Sequence, residues 1–217
     1  MGKRGTRRPG VWVIVVAAGS SSRFGRLKQF ESLAGRQVLD WSMEAARSVA
    51  EGVVLVVPGP ARGNDRGADV VVAGGSTRAA SVRAGLDAVP GDAGVVVVHD
   101  AARPLAGAGL FGAVVDALVP GVDAAVPGLA VAETVKQVAD GRVVSTLDRS
   151  ELVAVQTPQA FRAAGLRSAH GGGGEATDDA ALVEAAGGTV VVVPGDPRNV
   201  KLTEPSDLVV LEALLRA

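Results

Sequence analysis

The chain has 217 residues, enough for one compact domain with a sizeable core. A formal net charge of -1 and an aromatic content of 3% exclude broad electrostatic binding to DNA or anionic membrane, and an aromatic stacking platform for single-stranded nucleic acid. With no cysteine, disulfides, thiolate metal sites and a cysteine nucleophile are excluded as well.

The basic head, Lys3 to Arg8, reads as a solubilising leader over residues 1–10, with a single domain over 11–217. Val11–Val16 is a continuous apolar run, as expected for a strand covered on both faces. It leads straight into a Gly turn, so no signal-peptide segment is seen. The other apolar stretches are strand-sized, short of the ~20 residues of a membrane span. A cytoplasmic protein is expected, with no nucleic-acid or membrane partner.

Gln37–Ala50 spaces Leu39, Met43, Ala46 and Val49 as a helix would. Val53–Val57 is the next strand, stopped by Pro58-Gly59. Val70–Val72 is a brief strand, and Ser76 is positioned to cap a helix over Thr77–Ala88. Val95–Val98 is a strand with His99-Asp100 just past its end. A helix over Leu110–Leu118 and a strand over Ala124–Val126 follow. From Leu129 to Val155 the rhythm breaks, with two short apolar-alternating strands around Asp140-Gly141, read as a projecting β-arm. Helices near Ala160–Ala169 and over Asp178–Ala186, a strand over Thr189–Val193 and a helix over Pro205–Leu215 complete the chain. Such alternation predicts a three-layer α/β sandwich.

Ligands in such folds bind beyond the carboxyl ends of the strands. Four polar clusters fall there: Gly19–Lys28, Gly74–Arg78, His99–Arg103 and Asn199–Thr203. The first is a Gly/Ser turn that delivers Arg23, Arg26 and Lys28. Backbone N–H groups in such a turn face an anion, and the cations neutralise phosphoryl oxygens. It is neither a Walker A loop nor a dinucleotide fingerprint. Asp100, at a strand end, suits a Mg²⁺ ligand; a helix cap or a partner for Arg103 fits its position equally well. His99 reads as structural. Lys201 adds a third phosphate contact. Thr134, Lys136 and Arg149 sit on the arm, which in a symmetric dimer reaches the other subunit's pocket. Thr177-Asp178-Asp179 is a helix-capping pattern. The two histidines, at 99 and 170, support no nucleophilic triad; positioning and charge neutralisation suffice.

The ordered motifs AAGSSSRFG (17–25), KQF (28–30), AGGSTRAASV (73–82), VHDAARP (98–104) and ETVK (133–136) cover the first part of the chain. LDR (147–149), QTPQAF (156–161), TDDA (177–180), NVKLT (199–203) and PSDL (205–208) continue the series. Together they resemble the 2-C-methyl-D-erythritol 4-phosphate cytidylyltransferase family of the non-mevalonate isoprenoid pathway. VHDAARP and TPQ.F are specific to it and its nearest relatives. The AAG loop is shared with many sugar-nucleotide pyrophosphorylases.

The resemblance implies a three-layer Rossmann-like nucleotidyltransferase sandwich with a mostly parallel central sheet, a homodimer built by the β-arm, and transfer of a cytidylyl group from CTP to 2-C-methyl-D-erythritol 4-phosphate with release of pyrophosphate. Mg²⁺, or another divalent cation in its place, is the implied cofactor. By carry-over, Arg23 and Lys28 hold the triphosphate, Asp100 ligates the metal and Lys201 contacts phosphate near the reacting centre. Ala17, Ala18, Gly19, Gly75 and Ser81 frame the nucleoside. Thr134 and Arg149 from the partner grip the acceptor phosphate, with Arg103 and Thr157 assisting. The family pattern is broken by Ser21 and Leu27 in a shortened first loop, by Glu133 before the arm threonine, and by a short segment between Pro58 and Asp69. The rival acceptor is ribitol 5-phosphate. More remote readings are another sugar nucleotidyltransferase and a non-catalytic nucleotide-binding protein.

Overall fold

A computed structural model describes residues 8–19, 24–59, 65–174 and 176–216. The strands are β1 (Arg8–Val16), β2 (Ser32–Leu33), β3 (Arg36–Gln37), β4 (Ala50–Val57), β5 (Val70–Ala73) and β6 (Val95–Asp100). They continue as β7 (Ala124–Ala130), β8 (Lys136–Ala139), β9 (Arg142–Thr146), β10 (Val153–Val155), β11 (Gln159–Arg162) and β12 (Val190–Pro194). The helices are α1 (Val38–Val49), α2 (Arg78–Ala88), α3 (Ala108–Asp116), α4 (Ala163–Gly171), α5 (Asp179–Ala185) and α6 (Asp207–Arg216).

The main sheet runs β10-β7-β11-β6-β1-β4-β5, with β12 also paired to β7. Pairings β6–β1–β4–β5 and β7–β12 are parallel; β11 runs antiparallel to β6 and β7, and β10 antiparallel to β7. The period-2 alternation of the strands separates two cores. Val13, Val15, Val53, Leu55 and Val97 face the layer that holds Met43 of α1 and Phe111 of α3. Ile14, Val54, Val56, Val96 and Val98 face Val82 of α2, Leu166 of α4 and Val183 of α5. A third, smaller cluster joins Phe24, Leu33, Val38, Ala102, Leu202 and Leu211. This is the expected three-layer sandwich, and it is apolar enough on both faces to explain the unbroken valine runs.

Several boundaries differ from the sequence reading. β1 starts at Arg8, so residues 8–10 of the expected leader are strand; the Arg8 guanidinium pairs with Asp116. Thr77, not Ser76, caps α2, accepting from Ala80 N at 3.1 Å. His99 and Asp100 are the last residues of β6 rather than the residues after it. The expected helix near Ala160–Ala169 is corrected to a strand followed by a helix. Gln159–Arg162 is β11, which fills the gap between β6 and β7, and α4 starts at Ala163. Phe161 and Leu166 face the same core, the first from the strand and the second from the helix.

The break in rhythm after β7 is a hairpin, as expected. β8 and β9 form a separate two-stranded sheet closed by Asp140 (φ 49°) and Gly141 (φ 74°). Two consecutive positive-φ residues are what a tight two-residue hairpin turn requires, and Asp-Gly supplies them cheaply. β10 returns beside the end of β7 and roots the arm in the main sheet.

Candidate active site

Register places the first elements of the site. Val16 pairs with Asp100 and Val15 with His99, so the turn after β1 opens beside the end of β6. Alternation then sends the two β6 side chains opposite ways. Asp100 shares the face of Val96 and Val98, toward α2. His99 shares the face of Val97, with its ring centroid 5.0 Å from that of Phe111.

A cavity of about 480 Å³ opens at this strand end. Its wall is formed by Ala17, Ala18 and Gly19 after β1, Lys28 and Gln29, the Gly75–Arg78 entry to α2, Ser81, Asp100 and Lys201. Four segments distant in sequence therefore converge, as the positions of the polar clusters led us to expect. Close approach of backbone is built in. A Cβ on Gly74 would run into the Ala18 methyl and lie 2.9 Å from Ser81 Oγ; one on Gly75 would lie 3.1 Å from the Ala80 carbonyl carbon. Ser81 Oγ donates to the Thr77 carbonyl at 2.9 Å, and the buried Gln29 donates to the Ala17 carbonyl at 2.7 Å. The wall beside the Ala-Ala-Gly turn is thus set by small residues and fixed polar contacts.

Asp100 is the electrostatic centre. Its Oδ2 accepts from Lys201 Nζ at 2.6 Å and its Oδ1 from Arg78 Nε at 3.2 Å. Burial alone would raise the carboxyl's pKa. Arg78 and Lys201 outweigh it and hold the group well below the usual carboxylate range. The Arg78 guanidinium shows the converse balance. Burial pushes it down, and Asp100 and Asp179 together hold it above its ordinary value. The result is an ionised carboxylate between two cations on the cavity wall.

Behind Asp100 lies a polar lattice. Asp100 N donates to Thr157 Oγ1 at 3.1 Å, and that hydroxyl lies 3.2 Å from His99 Nδ1. Since the hydroxyl oxygen already accepts from the amide, its own hydrogen is available to the ring nitrogen. Burial first of all, with Arg103 and Lys201 adding to it, lowers the His99 pKa to about 4, so the ring is neutral at pH 7. Arg103 donates to the Asn199 carbonyl at 2.8 Å, and Asn199 Nδ2 to the Thr157 carbonyl at 2.8 Å. Leu202 N donates to the Ala102 carbonyl at 2.7 Å, which anchors the segment that carries Lys201.

Of the residues singled out from sequence, Ala17, Ala18, Gly19, Lys28, Gly75, Ser81, Asp100 and Lys201 meet at the cavity. Arg103 and Thr157 do not line it; they brace the strand end from behind. Thr134 and Arg149 are exposed on the arm, where Arg149 bonds the Ala132 carbonyl. Arg23 lies outside the described residues. Arg26 is paired with Glu31 at 2.6 Å and does not line the cavity.

Asp178 caps α5 as its motif predicts, accepting from Ala181 N at 3.0 Å. Sequence reasoning missed two contributors. Arg78 stood inside a quoted motif without a role. The capping pattern needs only Asp178, and the Asp179 side chain turns inward to Arg78 Nη1 at 2.7 Å. A second acid directly after a sufficient cap was the available signal.

Comparison with known proteins places the chain in a family. Residues 11–217 match the family model of IspD, 2-C-methyl-D-erythritol 4-phosphate cytidylyltransferase. The chain is 44% identical to the 2-C-methyl-D-erythritol 4-phosphate cytidylyltransferase of Streptomyces coelicolor, over 93% of this chain and 83% of that protein. It is 44% identical to the bifunctional enzyme IspD/IspF of Solidesulfovibrio magneticus over 93% of this chain; it spans about half the length of that relative, 56%. The crystal structure of 2-C-methyl-D-erythritol 4-phosphate cytidylyltransferase from Thermus thermophilus superposes with a TM-score of 0.81 at 37% identity, covering 94% of this chain and 98% of that one. On these grounds the chain belongs to the IspD family of 2-C-methyl-D-erythritol 4-phosphate cytidylyltransferases.

Proposed function

We propose that the cavity transfers a cytidylyl group from CTP to 2-C-methyl-D-erythritol 4-phosphate, releasing pyrophosphate. The observation that carries this reading is the convergence of a small-residue turn, the N-terminal turn of α2 and three basic side chains, Lys28, Arg78 and Lys201, around the ionised Asp100. The turn at Ala17–Gly19, Gly75 and Ser81 hold the nucleoside, and the tight wall favours a pyrimidine over a purine. Lys28 and Arg23 hold the triphosphate, and Lys201 approaches the reacting phosphate. An oxygen of the acceptor phosphate attacks the α-phosphorus in line; the new P–O bond forms as the bond to the β-phosphate oxygen breaks, and pyrophosphate leaves with that electron pair. The acceptor is already an anion, so no side chain needs to act as a strong base.

A divalent cation, Mg²⁺ in the first instance, fits Asp100. The donor is a hard carboxylate kept ionised on the cavity wall. No group of three or more His, Cys, Asp or Glu side chains suited to a metal occurs among the described residues. That donor set suits a cation that takes most of its ligands from nucleotide phosphates and water. When bound, the cation supplies charge neutralisation at phosphoryl oxygens.

The arm completes the site in a homodimer. Val138, Val143, Val144 and Leu147 are exposed on it, an apolar surface that supports cover by a second copy. In that dimer Thr134 and Arg149 serve the partner's acceptor site, while Arg103 and Thr157 act within their own subunit by bracing the strand end. No helix among the described residues is long and apolar enough to cross a membrane. The reaction, between soluble phosphates, belongs in the cytoplasm.

The test is pyrophosphate release by the purified protein with CTP, Mg²⁺ and 2-C-methyl-D-erythritol 4-phosphate, with ribitol 5-phosphate in parallel. Release with the first acceptor alone supports the proposal. Release with ribitol 5-phosphate alone reassigns the acceptor, and release with neither from folded dimer overturns the activity.

A further inference from the structure

Arg78 is shared between two carboxylates of unlike setting. Its longer bond, 3.2 Å from Nε, goes to Asp100 on the cavity wall. Its shorter bond, 2.7 Å from Nη1, goes to Asp179, whose side chain is 1% exposed. Asp179 Oδ1 is in turn 3.0 Å from Nε2 of the buried His170 on α4. Neither Asp179 nor His170 lines the cavity. The chain Lys201–Asp100–Arg78–Asp179–His170 thus runs from the cavity into the core between α2, α4 and α5.

The arrangement is costly unless it does something beyond packing. A carboxylate this deep needs charged or hydrogen-bonded partners, and an apolar residue at position 179 would avoid the desolvation altogether. What Asp179 adds is a competing anion for Arg78. Lys201 already holds Asp100 Oδ2, so an arginine with Asp100 as its only carboxylate partner would close on Oδ1. It would then occupy the oxygen that Lys201 leaves for a cation. With Asp179 drawing the guanidinium inward, the Arg78–Asp100 contact is single and long.

We propose that Asp179, backed by His170, is a positioning residue that holds Arg78 off full pairing with Asp100 and so keeps that carboxylate open to a divalent cation. This rests on the nucleotidyl-transfer reading for the identity of the cation's companion, CTP. The competition between Arg78 and the cation for Asp100 does not depend on that identity. Asp179 touches no substrate; it acts through Arg78, and His170 acts through Asp179.

The experiment is a Mn²⁺ titration followed by water-proton relaxation, on the intact protein alone and with CTP. The variants are Asp179→Asn, Arg78→Gln, the double substitution and His170→Gln, with thermal melting recorded for each. Asp179→Asn is expected to weaken Mn²⁺ binding about tenfold, within the range for neighbours in one ionic network. Arg78→Gln should bind Mn²⁺ at least as tightly as the parent. The double variant should match Arg78→Gln, because Asp179 has nothing to restrain once Arg78 is gone. His170→Gln, the variant that preserves a donor to Asp179 if Asp179→Asn does not fold, should weaken Mn²⁺ binding in the same direction and by less.

Unchanged Mn²⁺ affinity in Asp179→Asn and His170→Gln, with only a lower melting temperature, would overturn the proposal and leave a packing role. So would a double variant as weak as Asp179→Asn. If the parent shows no affinity for CTP, the activity reading fails; a parent that binds Mn²⁺ neither alone nor with CTP overturns the role proposed for Asp179.

Discussion

Asp100 and Lys201 stand 101 positions apart in the chain and meet at 2.6 Å between Oδ2 and Nζ. The meeting is arranged by backbone. Leu202, fully buried among Phe24, Leu33, Val38 and Leu211, donates its amide to the Ala102 carbonyl, two residues beyond Asp100. The lysine before it is thereby held over the end of β6. Since Lys201 is partly exposed, its worth lies in where it puts a charge more than in stability.

Replacing Lys201 by Gln is therefore expected to leave the fold intact and slow chemistry. A group that stabilises developing phosphoryl charge commonly contributes about 10²-fold in kcat. Steady-state pyrophosphate release, with circular dichroism as the fold control, checks this. A change confined to the KM for CTP would place Lys201 in ground-state binding only.

His99 makes stability depend on pH. Its folded pKa of about 4 lies below the ordinary value of 6.5, with burial as the leading cause. The unfolded chain therefore binds the proton first as pH falls. Stability is unaffected by this group above about pH 6.5 and declines from there toward pH 4, by about 3 kcal/mol in total. Melting temperature measured from pH 7.5 to 4 should fall less steeply in His99→Gln than in the parent. Parallel curves would show that His99 is not the titrating group.

Gly74 tests the wall of the cavity. A methyl there would collide with Ala18 and crowd Ser81. Gly74→Ala should cost about 1–3 kcal/mol, as overpacking does, and should push the Ala17–Gly19 turn out of place. Calorimetry with CTP is expected to show weakened binding alongside a lower melting temperature. Parent-like CTP affinity would move the nucleoside elsewhere.

The arm tests the dimer. Val143 is 62% exposed and Val144 60%, on a hairpin that forms a two-stranded sheet separate from the main one. Val143→Asp should convert a sedimenting dimer to monomer and raise the KM for the acceptor phosphate, with CTP affinity kept. Arg149→Ala should raise the same KM without dissociating the dimer. A monomeric parent at assay concentration would remove the cross-subunit roles of Thr134 and Arg149.

How much of this was legible in the sequence follows from which interactions are local. Continuous valine runs identify strands buried on both faces, and Asp140-Gly141 identifies a hairpin, because both signals are written in neighbouring residues. The polar clusters at Gly19–Lys28, Gly74–Arg78, His99–Arg103 and Asn199–Thr203 also read correctly as one edge of the sheet, since α/β topology fixes which ends of the strands face the ligand.

Tertiary structure alone decided the rest. That Gln159–Arg162 is a strand depends on β6 and β7 leaving a slot to fill, which no local period encodes. Arg103 and Thr157 brace the strand end from behind the cavity, Arg103 through Nη1 to the Asn199 carbonyl and Thr157 through Oγ1 to Asp100 N. Asp179 looks like half of a helix cap until α2 and α4 bring Arg78 and His170 against it. Residue types and their order determined the chemistry available to this protein. Which charges share a partner was settled by packing, because Coulomb energy depends on distances and burial that exist only once the three layers close.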